Sequence, residues 1–259
     1  EIGVRLVGSE MCIRDRKKGA PLILNGDNDK LVTVREPDYK LVFFGIENPN
    51  VDFRAKDIEE KNGFTSFTVE FYGASQRVTV PTVGIHNVYD ALAAFAVGYE
   101  MRMEPRKIAA GLKSFVPSGM RQRIKKVGGI TVIEDCYNAS PDSQKAALDV
   151  LSSFKSNRRI AVLGDMLELG KYSDISHENV GKYTENKNID ILFTYGAKAK
   201  HIAEGAKGFV DEIKSFDDKN ELAKTLLETL KDGDAVLFKA SRGMKLEDVI
   251  NSLYREWEE

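Results

Sequence analysis

The 259-residue chain has little of what builds metal and disulfide sites. It holds two cysteines, Cys12 and Cys136, far apart in sequence, which excludes a disulfide framework and fits a reducing, cytoplasmic location. Its three histidines, His86, His177 and His201, form no close pair, so zinc-ligand spacing is missing and no metal ligand is expected. No run of 18 apolar residues occurs, which excludes a spanning helix, and the first residues do not have the layout of a signal peptide. Neither sign of charge dominates. Lys and Arg total 38 against 40 Asp and Glu, with no long basic run, which argues against nucleic acid or an anionic membrane as partner. No GxSxG elbow or Cys-His signature supports a nucleophilic hydrolase.

What is present is ordinary globular material, 42% hydrophobic and 30% charged, of a length that suits one large or two modest domains. From Lys17 to Gly84 short strand-like runs (PLILNGD, LVFFG, FTSFTVEFYG, QRVTVPTVG) alternate with Gly, Asn, Asp and Pro punctuation. Val88, Leu92, Phe95 and Tyr99 then fall at helical spacing, and a second helix over Glu104 to Phe115 carries Pro105 in its first turn. The run VPSG, Val116 to Gly119, marks a domain boundary.

Beyond it, strand and helix alternate. ITVI, IAVL, ILF and AVLF are nearly continuous apolar runs, as strands of a parallel sheet covered on both faces should be. Residues 118–259 are therefore predicted to form a doubly wound α/β domain that binds ligands at the carboxyl ends of its strands. Its last helix places Leu246, Val249, Ile250, Leu253 and Trp257 on one packing stripe.

Four loops could carry chemistry. In EDCYNASPDS, Asp135 could accept from sugar hydroxyls and Asn138 could both donate and accept beside Tyr137; the same groups could serve only a turn capped by Ser140 and Pro141. FKASRG offers Lys239, Ser241 and Arg242 to a carboxylate or phosphate, or is a solvated turn. Asn87 beside His86 could read a purine edge or cap a helix. Arg121 and Arg123 could reach anionic groups or stay solvated. GDMLELGK is not a phosphate loop, because five residues separate its glycines and Tyr172 follows Lys171.

In order, GIHNVYDALAA, GMRQR, EDCYNASPDS, VLGDMLELG with His177, and FKASRGMKLE resemble the second half of a Mur ligase, from about Gly19 onward. YNAxP (Tyr137 to Pro141) and the GDMxELG run are most similar to the branch that adds D-alanyl-D-alanine to a UDP-N-acetylmuramoyl tripeptide. The resemblance implies a remnant of the central ATP-binding domain over residues 17–117 and a complete Rossmann-like C-terminal domain over 118–259. It implies ATP and Mg2+ as cofactors, those two substrates as partners, a monomer, and peptide-bond formation through an acyl phosphate. It places His86 and Asn87 at adenine, Arg121 near the nucleotide, Asp135 at the ribose with Tyr137 and Asn138 in the same loop, and Lys239, Ser241 and Arg242 at substrate anions or the developing phosphate charge. Asp90 stands where the family more often has Asn.

No GxxGKT/S loop occurs, so the chain by itself is expected to be inactive, with the metal ligands lying outside it. Glu1 to Val4 resembles the stretch that follows that loop in the family. Residues 5–16 include LVGSEMCIRDR, which resembles translated sequencing-adapter read-through, and residues 1–16 are expected to be an irregular, artefactual leader. Two other readings stay open: another amino-acid ligase of the family, or a non-catalytic nucleotide- or peptide-binding module.

Overall fold

Alternation of apolar and polar residues builds the first sheet. In Phe64–Phe71, the buried Thr65, Phe67, Val69 and Phe71 occupy every second position, because successive side chains of a strand point to opposite faces. The computed structural model describes residues 17–61, 63–116 and 119–258. The expected leader over residues 1–16, and Pro117 and Ser118 of the expected boundary run, lie outside the described residues. The chain divides into two compact units between Phe115 and Val116.

The first unit has strands β1 (Pro21–Asn25), β2 (Lys40–Gly45), β3 (Phe53–Lys61), β4 (Phe64–Phe71) and β5 (Ala74–Val80), paired in that order. β1, β2 and β3 are parallel; β3, β4 and β5 form an antiparallel meander. Helix α1 (Ile85–Glu100) lays Val88, Leu92 and Phe95 on this sheet, all fully buried, as their spacing predicts. Phe53, Phe71, Phe95 and Tyr99 form an aromatic cluster with ring centroids 5.0–6.2 Å apart. Helix α2 (Pro105–Lys113) starts at the proline, whose missing N–H costs nothing there.

The second unit has β6 (Arg123–Val127), β7 (Ile130–Glu134), α3 (Pro141–Ser153), β8 (Arg159–Gly164), α4 (Ser173–Lys182), β9 (Ile191–Tyr195), α5 (Lys200–Gly205), β10 (Glu212–Phe216), α6 (Lys219–Thr229), β11 (Ala235–Lys239) and α7 (Glu247–Glu258). The sheet order is β10-β9-β8-β11-β7-β6. Five strands are parallel, four of them formed by the apolar runs and the fifth, β10, at the edge; β6 is antiparallel to β7 at the other edge. That edge strand is missed by an apolar-run reading because three of the five residues of RIKKV are charged and the strand stays partly exposed. β11 returns between β7 and β8, so the strand-end loops of β7, β8 and β11 adjoin at the reversal in strand order.

Val132, Val162, Val236 and Phe238 join Leu246, Val249, Ile250 and Leu253 in one core, which is what buries the stripe of α7. Among the described residues no helix is long and apolar enough to cross a membrane. Helices α4 and α5 meet backbone to backbone: a Cβ on Gly181 would strike Ile202 O, and one on Gly205 would strike Glu178 O. Gly181→Ala should therefore destabilise this unit by about 2 kcal/mol through overpacking, read as a lower urea midpoint, whereas exposed Lys182→Ala should leave the midpoint near that of the parent.

Candidate functional site

The loops at the carboxyl ends of β7, β8, β9 and β11 are tied together by polar groups aimed across the sheet. The central tie comes from the last residue of β11. Lys239 has a 3% exposed side chain; its Nζ lies 2.7 Å from Asp135 Oδ2 and donates to Asn138 O at 3.1 Å. Gln122 N donates to Asp135 Oδ1 at 3.2 Å, and the Asp135 side chain remains 18% exposed. The acid is thus charge-compensated, fixed, and still open at one edge. A carboxylate has about four acceptor positions, so hydroxyl donors of a ligand can share it.

The rest of this loop follows from its sequence. Ser140 caps α3 through Ser143 N, Ser143 Oγ answers to Ser140 N, and Pro141 is the first helical residue. Asn138 Oδ1 accepts from Ala139 N, and the residue is exposed. The Arg121 guanidinium carbon lies 4.2 Å from the centroid of the Tyr137 ring, a cation–π contact. Burial pushes the Cys136 thiol up to about 12, which removes it as a nucleophile at neutral pH.

The loop after β8 is bolted from three sides. Asp165 Oδ1 accepts from Lys198 N (3.0 Å) and Ala199 N (2.7 Å) of the loop after β9, and Asp165 O accepts from Ser241 N (3.1 Å) after β11. Gly196, at φ 111°, makes room for that carboxylate: a Cβ there would sit 2.5 Å from Asp165 Oδ1. His177 is fully buried; its Nε2 accepts from Met166 N at 2.9 Å, so the proton is on Nδ1, which donates to Ser173 O at 2.7 Å. Burial holds its pKa below 6.5. Gln144 donates to Gly164 O from inside α3.

Of the three residues expected at substrate anions, the structure places Lys239 and Ser241 inside the strand-end loops. The Lys239 ammonium is buried on Asp135 and Asn138, and Ser241 is buried with its Oγ accepting from Leu167 N at 2.9 Å. Both hold loops in place, because an ammonium or hydroxyl that deep must be paired. Of that trio Arg242 alone is solvent-facing, 61% exposed and 3.2 Å from Glu247 Oε1.

His86 and Asn87 lie in the first unit, in the first turn of α1 after Gly84. Asn87 Nδ2 donates to Val83 O at 2.7 Å and lies 3.1 Å from His86 Nε2. Asp90 is exposed one turn on. Sequence reasoning missed Glu134 and Gln144. The signal was there: a lone charge ending the apolar run ITVIE, and a polar residue on the buried face of α3.

Comparison with known proteins gives two family matches, the Mur ligase middle domain over residues 11–98 and the Mur ligase glutamate ligase domain over residues 120–242. A Bacillus subtilis UDP-N-acetylmuramoyl-tripeptide–D-alanyl-D-alanine ligase is 37% identical over 245 residues, 93% of this chain and 52% of that protein. The Synechocystis enzyme of that name is 30% identical over 265 residues, 98% of this chain and 56% of that protein. A crystal structure of a Thermotoga maritima MurF ligase in complex with ADP superposes with a TM-score of 0.83 at 25% identity, covering 98% of this chain and 58% of that one. The chain spans about half the length of the curated relatives it matches.

Two outcomes follow from these ties. Lys239→Met should cost about 2 kcal/mol, because it strands a largely buried carboxylate that keeps some solvent contact; Asp135→Asn in that background should recover part of the loss, measured by urea unfolding. Because His177 is neutral when folded and titrates near 6.5 when unfolded, stability should be flat above that pH and fall below it. The fall is at most about 1.4 kcal/mol per pH unit. Urea midpoints at pH 7.5 and 5.5 should converge in His177→Gln; an undiminished difference would show that another group carries the dependence.

Proposed function

This chain belongs to the Mur ligase family, and from that membership we propose that it supplies the nucleoside and amine end of an ATP-dependent ligase. The ligase adds D-alanyl-D-alanine to UDP-N-acetylmuramoyl tripeptide during peptidoglycan precursor synthesis. The observation that carries the reading is the Asp135 loop, clamped by a buried lysine at the reversal in strand order and flanked by the cation–π pair Arg121 and Tyr137. The relatives that this chain resembles over nearly its whole length bear that activity in their names.

A carboxylate is a poor acyl donor because its leaving group would be oxide. Transfer of the γ-phosphoryl group of ATP to the tripeptide carboxylate releases ADP and creates an acyl phosphate. The dipeptide amine then attacks the carbonyl carbon, phosphate departs with the C–O bonding pair, and the nitrogen loses a proton. Little covalent work falls to the protein, so orientation and charge placement carry the rate. Within the second unit Asp135 takes ribose hydroxyls, Arg121 phosphates and Arg242 a substrate carboxylate. Tyr137 and Asn138 shape the loop; Lys239 and Ser241 keep it in place.

Magnesium belongs to the proposed chemistry as charge compensation. Among the described residues no group of three or more His, Cys, Asp or Glu gathers to hold an ion, so none of these side chains is assigned to it. The reaction is placed in the cytoplasm, where ATP and nucleotide-linked precursors are made. The working form is taken as a monomer, since each unit encloses its own core.

Titration of the chain with ADP should shift the amides of Gln122, Asp135 and Asn138, and Asp135→Asn should weaken binding at least about tenfold, the order of one charged hydrogen bond. Equal affinity in the variant would remove Asp135 from the ribose. Grafted onto the preceding half of the Bacillus subtilis relative, residues 19–259 should support ADP release that depends on D-alanyl-D-alanine. Release that depends instead on a diamino acid would assign the chain to a different ligase of the family.

A further inference from the structure

Two adjacent acids close β7, Glu134 as its last residue and Asp135 just beyond it, and successive side chains of a strand point to opposite faces. Asp135 turns to Lys239. Glu134 faces the side covered by α7. Its directly opposed residues are Arg123 on β6 and Phe238 on β11, and Phe238 packs in the core that buries Leu246, Val249, Ile250 and Leu253. Glu134 is 1% exposed, so its carboxylate sits beside that core, out of water.

All the donors to this carboxylate reach one oxygen. Oε1 accepts from Tyr254 OH at 2.5 Å and lies 2.9 Å from Lys125 Nζ. Oε2 is buried with no hydrogen-bond partner, and Arg123 Nη1, at 3.8 Å, is beyond hydrogen-bond reach. A buried acceptor left unpaired is costly, and an apolar residue would close the run ITVI at lower cost, so a charge in this place calls for a reason other than stability.

Tyr254 holds that charge in two ways. Burial and the neighbouring carboxylate raise its phenol well above the ordinary value, so it stays protonated and donates. Its ring also lies 4.5 Å from Lys125 Nζ, a cation–π contact that keeps the second donor in place. The consequence for the site is mechanical. Glu134 and Asp135 share a peptide, whose N–H donates to Phe238 O at 2.9 Å. Without the Tyr254 donor, one ammonium would serve about four acceptor positions. The carboxylate would turn toward water, twisting the shared peptide and with it the Asp135 side chain.

We propose that Glu134 is a positioning residue for the Asp135 loop and that Tyr254 of α7 holds it, so that the last helix sets the geometry in which a nucleoside hydroxyl is met. Naming that ligand rests on the ligase reading above; the positioning rests on the two faces of β7.

Amide shifts and ADP titrations of the isotope-labelled chain test it. Tyr254→Phe keeps the ring beside Lys125 and removes only the O–H. It should displace the Gln122 and Asp135 amides without ligand and weaken ADP about three- to thirtyfold, the range of mutations that act on a site without touching its ligand. Glu134→Gln added to Tyr254→Phe should recover most of that loss, because a neutral amide demands less of its donors than a buried charge does. Val249→Ala truncates a buried side chain of α7, so it should lower the urea midpoint and leave ADP affinity unchanged. Parent-like ADP affinity in Tyr254→Phe, no recovery in the double variant, or an equal loss in Val249→Ala would overturn the inference. If ADP leaves Asp135 of the parent unmoved, the nucleoside reading falls, and the ligand-free displacement in Tyr254→Phe then decides the positioning: its presence upholds the Tyr254–Glu134 hold on the loop, and its absence removes it.

Discussion

A single buried ammonium organises the second unit's functional face. Lys239 ends β11, the strand that returns between β7 and β8, and its amine closes onto the carboxylate of Asp135 and the carbonyl of Asn138 across the neighbouring strand end. The pair is not a simple gain in stability, because both ions lose water. Its effect is geometric: with one carboxylate oxygen held by Lys239 and the other reached by Gln122 N, the loop that follows β7 has few alternatives. Arg121, Tyr137 and the capped start of α3 are positioned relative to that fixed point.

The same logic recurs on the next strand. Asp165 crosses to two backbone N–H groups after β9, Ser241 crosses to Leu167 N, and His177 closes onto Met166 N from α4. The ties join segments 11 to 74 residues apart and satisfy groups that would otherwise be buried unpaired. Strand-end loops are the natural place for binding residues because a rigid sheet carries them, and here the ties extend that rigidity into the loops themselves. Where the ties stop, charge stays exposed, as at Arg242 and Arg123.

Much of this architecture was legible in the residues. Continuous apolar runs predicted four of the five parallel strands of the second unit, Val88-Leu92-Phe95 predicted α1, and Ser140-Pro141 predicted where α3 starts. These signals are local: periodicity, capping and proline geometry act within a few residues. The antiparallel edge strand β6 escaped because an edge does not need to be apolar. The burial of Lys239 and Ser241 is not legible in sequence, because charge and hydroxyl at a strand end look alike whether they point outward or into the sheet. Glu134 was passed over for the opposite reason, since a single charge in an apolar run shows nothing of its partners.

The sequence by itself determined the element types, the family resemblance and the cluster of polar residues at the strand ends, because each depends on short-range pattern. Tertiary structure decided which of those polar groups are spent. Burial and partner distance sort Lys239, Ser241, His177 and Gln144 into ties, and leave Arg121, Arg242, Arg123 and the open edge of Asp135 to face outward. That sorting follows from strand order, which places β11 against β7 and β8, and strand order is set by packing between segments that are about a hundred residues apart in the chain.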